Sequence, residues 1–315
     1  MKYHLYYHDD FDGMASGAVM LNFLRSRGDD IASYNPIDYT PLVNETWVRF
    51  KFKKPFILVD FRYHPVASWW FDHHETSFAW PARREWGRKY NNDSQHFRNP
   101  KFKSCCSAVT AHLARNYQYK APLHIRELVK WADIIDSFGY KSPSEALSYS
   151  SPALKIMGYL DSESNAVYRK KMIEHLALEP MKRIATTPLV VKKSQKHIVG
   201  IRKLIKKIKE SARVYGSVVF ADVSMINKPD AHHFMIYYLF PGKRYSAILR
   251  NNGTYYSLGV GQNKWLGLRN KVDIGKLMTK YAGGGHRGVG ATQRKSKKEI
   301  MKIAREVIEY LNKQG

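Results

Sequence analysis

Leu5-Tyr6-Tyr7-His8-Asp9-Asp10-Phe11-Asp12-Gly13 decides how the chain is read. An apolar run ends in an imidazole and three acids, and residues 15–24 follow with Ala18, Leu21 and Leu24 on one helical side. The same order returns at Phe56-Ile57-Leu58-Val59-Asp60 and at Trp69-Trp70-Phe71-Asp72-His73-His74. Strands that alternate with helices predict a parallel sheet with helices on both faces. Such sheets take ligands beyond the carboxyl ends of their strands, and three strand ends here carry carboxylates or imidazoles.

Outward from this core, residues 104–113 form a small-residue stretch suited to a helix packed close to a sheet, and 128–135 read as a second buried helix. Residues 142–187 read as mostly helical, broken at Pro180 and Pro188. Ile198, Ile201, Ile205 and Ile208 then recur at helical spacing, with cations from Lys196 to Arg213 on the other side. Residues 217–223, 234–240, 245–250 and 255–260 read as strands between turns, and a closing helix carries Ile300, Ile303, Val307, Ile308 and Leu311. The expected class is α/β: an N-terminal parallel-sheet domain with flanking helices over residues 1–188, and a smaller C-terminal mixed α/β domain over 189–315. A chain of 315 residues also exceeds what one core usually organises.

Lys and Arg outnumber Asp and Glu by 52 to 27, for a net charge of +25, so the natural partner is a polyanion. No apolar run approaches the ~18 residues of a membrane span, and the N-terminus lacks the apolar segment of a secretory leader. Cys105 and Cys106 are adjacent, which leaves no disulfide framework. A cytoplasmic protein with no membrane partner is expected.

In an extended chain His8, Asp10 and Asp12 point to one side. One imidazole and two carboxylates then meet in a small volume, a donor set that suits manganese, magnesium or iron better than a thiolate zinc site. Gly13 follows and opens a helix whose free N–H groups favour an anion. Asp60 ends a fully apolar strand, where a carboxylate is costly to bury unless paired or metal-bound. His73 and His74 face different ways on an ordered turn, so one can ligate metal while the other meets substrate. Gly283, Gly284 and Gly285 let backbone N–H groups approach an anion closely, and His286 and Arg287 add donors.

His-Asp-Asp-Phe-Asp-Gly, Leu-Val-Asp, Asp-His-His and Trp-Ala-Asp-Ile-Ile-Asp, in this order, resemble the four motifs of the DHH phosphoesterase family. Gly283-Gly284-Gly285-His286-Arg287 resembles the glycine-rich motif of that family's associated C-terminal domain, so the match spans almost the whole chain. The resemblance implies a centre of two divalent ions, usually manganese with magnesium as the other choice. Asp60 would bridge them and share in catalysis. His8 and Asp10 would hold one ion; Asp12, His73 and the fourth-motif Asp would hold the other; His74 would contact the scissile phosphate. Asp133 and Asp136 both fit the fourth motif, and Asp133 is preferred because a small residue precedes it. Arg250 resembles the family's substrate-binding arginine and, with Gly283, Gly284, Gly285 and His286, would hold the substrate end remote from the cut.

A pyrophosphatase is disfavoured, because the first motif is spaced His-x-Asp-x-Asp. The leading expectation is a phosphodiesterase or exonuclease acting on short single-stranded RNA or DNA. The alternatives are a cyclic dinucleotide or pAp hydrolase, a polyphosphatase, and a non-catalytic nucleic-acid-binding relative. The last is opposed by the presence of His or Asp at every expected metal position. A homodimer stays open.

Overall fold

The computed structural model describes residues 1–314 apart from 40–42, 44, 45, 79, 80, 164, 228–230, 269 and 270. Two compact units divide the chain: one holds Met1–Tyr140 and Ser150–Gln195, the other Lys141–Tyr149 and Lys196–Gly315. The boundary between these units falls between Gln195 and Lys196, inside a helix. A nine-residue excursion of the earlier chain also belongs with the later unit.

In the first unit, β1 (Lys2–His8), β2 (Asp30–Ile37), β3 (Phe56–Val59), β4 (Trp69–Asp72) and β5 (His96–Arg98) form one sheet in the order β2-β1-β3-β4-β5. Every pairing is parallel. Because β2 lies on one side of β1 and β3 on the other, the topology switches between β1 and β3, which is where such sheets open a ligand crevice. His8 closes β1 and Asp60 follows β3, so the switch point carries the first two motifs.

The strands read as continuous apolar runs because both faces are covered. Leu5, Tyr7, Ile57, Val59, Trp69 and Phe71 pack on helices α1 (Phe11–Arg25), α3 (Cys105–Tyr117) and α4 (Leu123–Asp136) and on later helices of the unit. Tyr6, Phe56, Leu58 and Trp70 face the other way, into Trp47 and Phe61 with Tyr63, Phe78 and Tyr90 around them. That second face is closed mainly by aromatic side chains of connecting segments. The helix α2 (Pro81–Lys89) adds Trp86 to it. Cys105 and Cys106 are both buried free thiols.

In the second unit, β6 (Ala212–Tyr215), β7 (Val218–Asn227), β8 (Tyr245–Asn251), β9 (Tyr256–Gln262), β10 (Gly284–His286) and β11 (Val289–Arg294) form a mixed sheet, order β10-β11-β9-β8-β7-β6. Only β7 and β8 run parallel. One face packs on the closing helix through Ile300, Val307 and Leu311. Residues 234–240, expected as a strand, instead form most of a helix, His233–Leu239. The reason is topological: parallel neighbours β7 and β8 need a crossover, and this apolar run supplies it, with Met235, Ile236 and Tyr237 buried. Among the described residues, no helix is long and apolar enough to cross a membrane.

Gly13 is where the fold leaves least room. A Cβ there would press into the backbone carbonyl of His8, at the point where β1 turns into α1. Gly13→Ala is expected to destabilise the protein by more than about 2 kcal/mol. Chemical denaturation in chelator-treated buffer checks this, and an unchanged midpoint would contradict the close approach.

Candidate metal centre

The centre is built from strand ends and helix starts. Asp10 caps α1, its carboxylate accepting from the Gly13 N–H at 2.9 Å. Asp12 points to the start of α3, where its two oxygens accept the Cys105 and Cys106 N–H groups at 2.6 and 2.9 Å. The N-terminus of α3 therefore fixes a buried carboxylate with its own unsatisfied donors. Asp9 is turned elsewhere: Arg169 binds its Oδ1 at 2.7 Å.

Asp60 is 1% exposed and adopts a left-handed backbone with φ 57°, a conformation Asp tolerates at a cost of roughly 1 kcal/mol. Its N–H is held by the Phe71 carbonyl at 2.9 Å. His8 Nδ1 lies 2.9 Å from Asp10 Oδ2 and 3.4 Å from Asp60 Oδ2. His73 Nε2 lies 3.7 Å from Asp12 Oδ2, 3.7 Å from Asp60 Oδ1 and 3.4 Å from Asp136 Oδ2. Asp60 thus belongs to two donor groups at once, His8–Asp10–Asp60 and Asp60–His73–His74, and His73 also joins Asp12 and Asp136 in a third.

His73 Nδ1 contacts the Phe102 carbonyl at 3.3 Å, the kind of outer contact that leaves Nε2 with its lone pair. Asp72, fully buried, accepts the N–H groups of His73 and His74, the Ser77 hydroxyl and His74 Nδ1 at 2.7 Å. Burial disfavours the His74 cation, but Asp72 outweighs it and raises this imidazole to about 9. The Asp72 carboxylate thus fixes the orientation of the His74 ring.

The electrostatics call for a cation. Burial, then Asp10, pushes Asp12 up to about 7. Burial, then Asp12 and Asp10, pushes Asp136 up to about 9 and Asp60 well above the usual carboxylate range. Asp10 alone stays low, at about 2, because His8 and the Gly13 N–H outweigh its burial. Asp60 Oδ1 and His73 Nε2 are buried with no hydrogen-bond partner. Unpaired buried atoms each cost about 1–3 kcal/mol, and both are metal donors, so this oxygen and nitrogen set fits divalent ions.

The sequence placed His8, Asp10, Asp12, Asp60, His73 and His74 at one site, and the fold brings them together. Asp133 does not join them. Its Oδ1 accepts from Ser104 Oγ at 2.6 Å, tying α4 to the residue that caps α3, while Asp136, one turn on, reaches His73.

In the second unit Arg250 ends β8, with Nε 2.8 Å and Nη2 2.5 Å from the Ala231 carbonyl. Its guanidinium lies over β9 at Gly259, where a Cβ would sit 2.7 Å from Nη1; a Cβ at Gly261 would sit 2.8 Å from the His233 ring. His233, which the sequence reading passed over, bonds Ser246 Oγ at 2.7 Å, and burial followed by Arg250 keeps it neutral. Its signal was a second adjacent histidine pair, His232-His233. Gly284, Gly285 and His286 form the edge strand β10 rather than a bare turn. At Gly283 and Gly285 the backbone meets Ala291 and Val289 too closely for a side chain, and Gly285 has φ 145°.

No family model matches the chain, and no curated protein matches it. Solved structures do. A pGpG-specific phosphodiesterase from Vibrio cholerae is 19% identical, with a TM-score of 0.71 over 99% of this chain and 100% of that one. The DHH domain of a member of a ribosomal-protein family is 17% identical, with a TM-score of 0.59 over 98% and 86%. RecJ from Thermus thermophilus in complex with Mn2+ is 11% identical, with a TM-score of 0.58 over 100% of this chain and 52% of that one. The chain therefore has the fold of DHH-domain proteins.

Asp136→Asn is expected to lower bound manganese by about 10-fold or more in affinity, whereas Asp133→Asn keeps it. Metal titration of both variants checks this, and loss confined to Asp133→Asn would return the fourth-motif role to that residue.

Proposed function

We propose that this chain, with its DHH-domain fold, is a two-metal phosphodiesterase that hydrolyses short single-stranded RNA or DNA. The observation that carries the reading is Asp60, a buried carboxylate shared by two donor groups, one with His8 and Asp10 and one with the His73–His74 pair. In this reading His8, Asp10 and Asp60 hold one ion, and Asp60, Asp12, His73 and Asp136 hold the other. Bound there, two divalent ions, manganese by preference, supply an activated water near neutral pH and neutralise charge on the phosphate. His74, its Nδ1 engaged by Asp72, donates a proton or hydrogen bond to the scissile phosphate or its leaving oxygen. Arg250, the 283–285 backbone and His286 grip the nucleotide away from the cut, and His233 backs that grip as a neutral neighbour of Arg250. Catalysis would then belong to the first unit and substrate binding to the second.

Support for the short end of the substrate range comes from a relative whose name specifies pGpG. The buried free thiols and the basic balance support a reducing compartment such as the cytoplasm.

The test is turnover with manganese on RNA and DNA from two to about twenty nucleotides, with pAp, cyclic dinucleotides and polyphosphate alongside. Faster hydrolysis of the last three would overturn the substrate assignment. Within that assay His74→Ala is expected to lower kcat by about 10²–10⁴-fold with metal retained, and His73→Ala to lose metal. Equal metal loss in both would mean the histidines are wrongly divided. His286→Ala is expected to lower kcat/KM on oligonucleotides by roughly 10-fold or more and to spare a nitrophenyl phosphodiester. An equal fall on both would move His286 into the chemical step.

A further inference from the structure

The second unit holds 25 of the 52 Lys and Arg residues but only 8 of the 27 Asp and Glu residues. Much of that excess sits on one helix, Pro188–Ser211. In its second-unit portion Ile201, Leu204 and Ile208 are buried. Opposite them Lys196, Lys203, Lys206 and Lys207 are exposed and fall within about 100° of arc, with Arg202 and Lys209 alongside. Lys207 pairs with Glu210 at 3.2 Å. Among the described residues, no acid lies within ion-pair distance of the other five.

General basicity does not explain this. The closing helix, Lys297–Lys313, is also rich in cations but interleaves them with acids, placing Glu306 four residues after Lys302 and Glu309 four after Arg305. On the earlier helix Arg202–Lys206 and Lys203–Lys207 repel at the same spacing, which disfavours the helix. A bilayer is a poor partner, because the apolar side that would have to insert is already buried. Just beyond the helix Tyr215 is 47% exposed, a ring on which a base can stack.

We propose that this helix is a second nucleic-acid-binding surface, made of residues outside the metal cluster and the Arg250 grip, which holds the phosphate backbone of a single strand. The strip from Lys196 to Lys209 is about 20 Å long and meets several successive phosphates. It binds a strand whether or not the metal centre cleaves it.

The experiment measures binding of a labelled single-stranded 20-nucleotide RNA to the full chain in EDTA, across a salt series. Neutralising Lys203, Lys206 and Lys207 to Gln is expected to flatten the slope of log K against log salt by about 2 and weaken binding on the order of 10²-fold at 0.1 M salt. Dinucleotide hydrolysis with manganese should be unchanged. Lys298→Gln, Lys302→Gln and Arg305→Gln together remove the same charge from the closing helix and should leave the slope nearly as in the wild type. Tyr215→Ala should weaken RNA about 5-fold or more and leave polyphosphate binding unchanged. Equal effects of the two triple variants, absent RNA binding by the wild type, or equally tight binding to phosphatidylserine vesicles would each overturn the proposal. Absence of hydrolysis with salt-dependent binding intact would instead overturn the catalytic reading and leave this surface standing.

Discussion

The burial of Asp60 is the constraint around which the first unit is organised. A carboxylate at the end of an apolar strand loses its water, and taking it out of solvent costs several kcal/mol unless a cation compensates. Here the backbone itself is turned to φ 57° to aim it, with the Phe71 carbonyl pinning the turn. The neighbours deepen the problem: Asp10, Asp12 and Asp136 add negative charge, and burial raises Asp12 and Asp136. Such a cluster stays charged only where positive charge compensates it. The switch between β1 and β3 provides the crevice, and the α3 N-terminus holds Asp12 in place.

What was legible in the sequence is what depends on local order. A four-residue apolar strand fixes the position of the residue after it, so Asp60 could be placed from Phe-Ile-Leu-Val alone. His73 and His74 follow from β4 in the same way. The choice between Asp133 and Asp136 depends instead on Ser104, 29 residues before Asp133 in sequence, which takes one carboxylate and so leaves the other to the cluster. No pattern within α4 carries that information. The helix at 233–239 failed for a related reason. Seven apolar residues between turns fit either period, and only the parallel pairing of β7 with β8 demands a crossover there.

His233 shows why a functional neighbour can hide. Its ring rests on the side-chain-free strip made by Gly259 and Gly261, and in sequence those glycines read only as interruptions of a strand. Their meaning is clearance: β9 gives up side chains so that Arg250 and His233 can lie flat against it. The glycines at 283 and 285 serve a different need, close backbone contact with β11.

The two units divide charge in a way that a phosphate-rich ligand makes intelligible. On the proposed reading, a Lys or Arg at the bond to be cut would be drawn into pairs with the carboxylates, so the centre gathers acids and imidazoles, a donor set that suits exchangeable ions. Away from that bond nothing needs to be activated, and fixed cations serve better because they stay charged and bring their own donors. The second unit accordingly carries Arg250 beside a neutral His233, where an imidazolium would repel the guanidinium. The carboxylate cluster of the first unit and the cation excess of the second, 25 Lys and Arg against 8 Asp and Glu, each suit a different task on a phosphate-rich ligand.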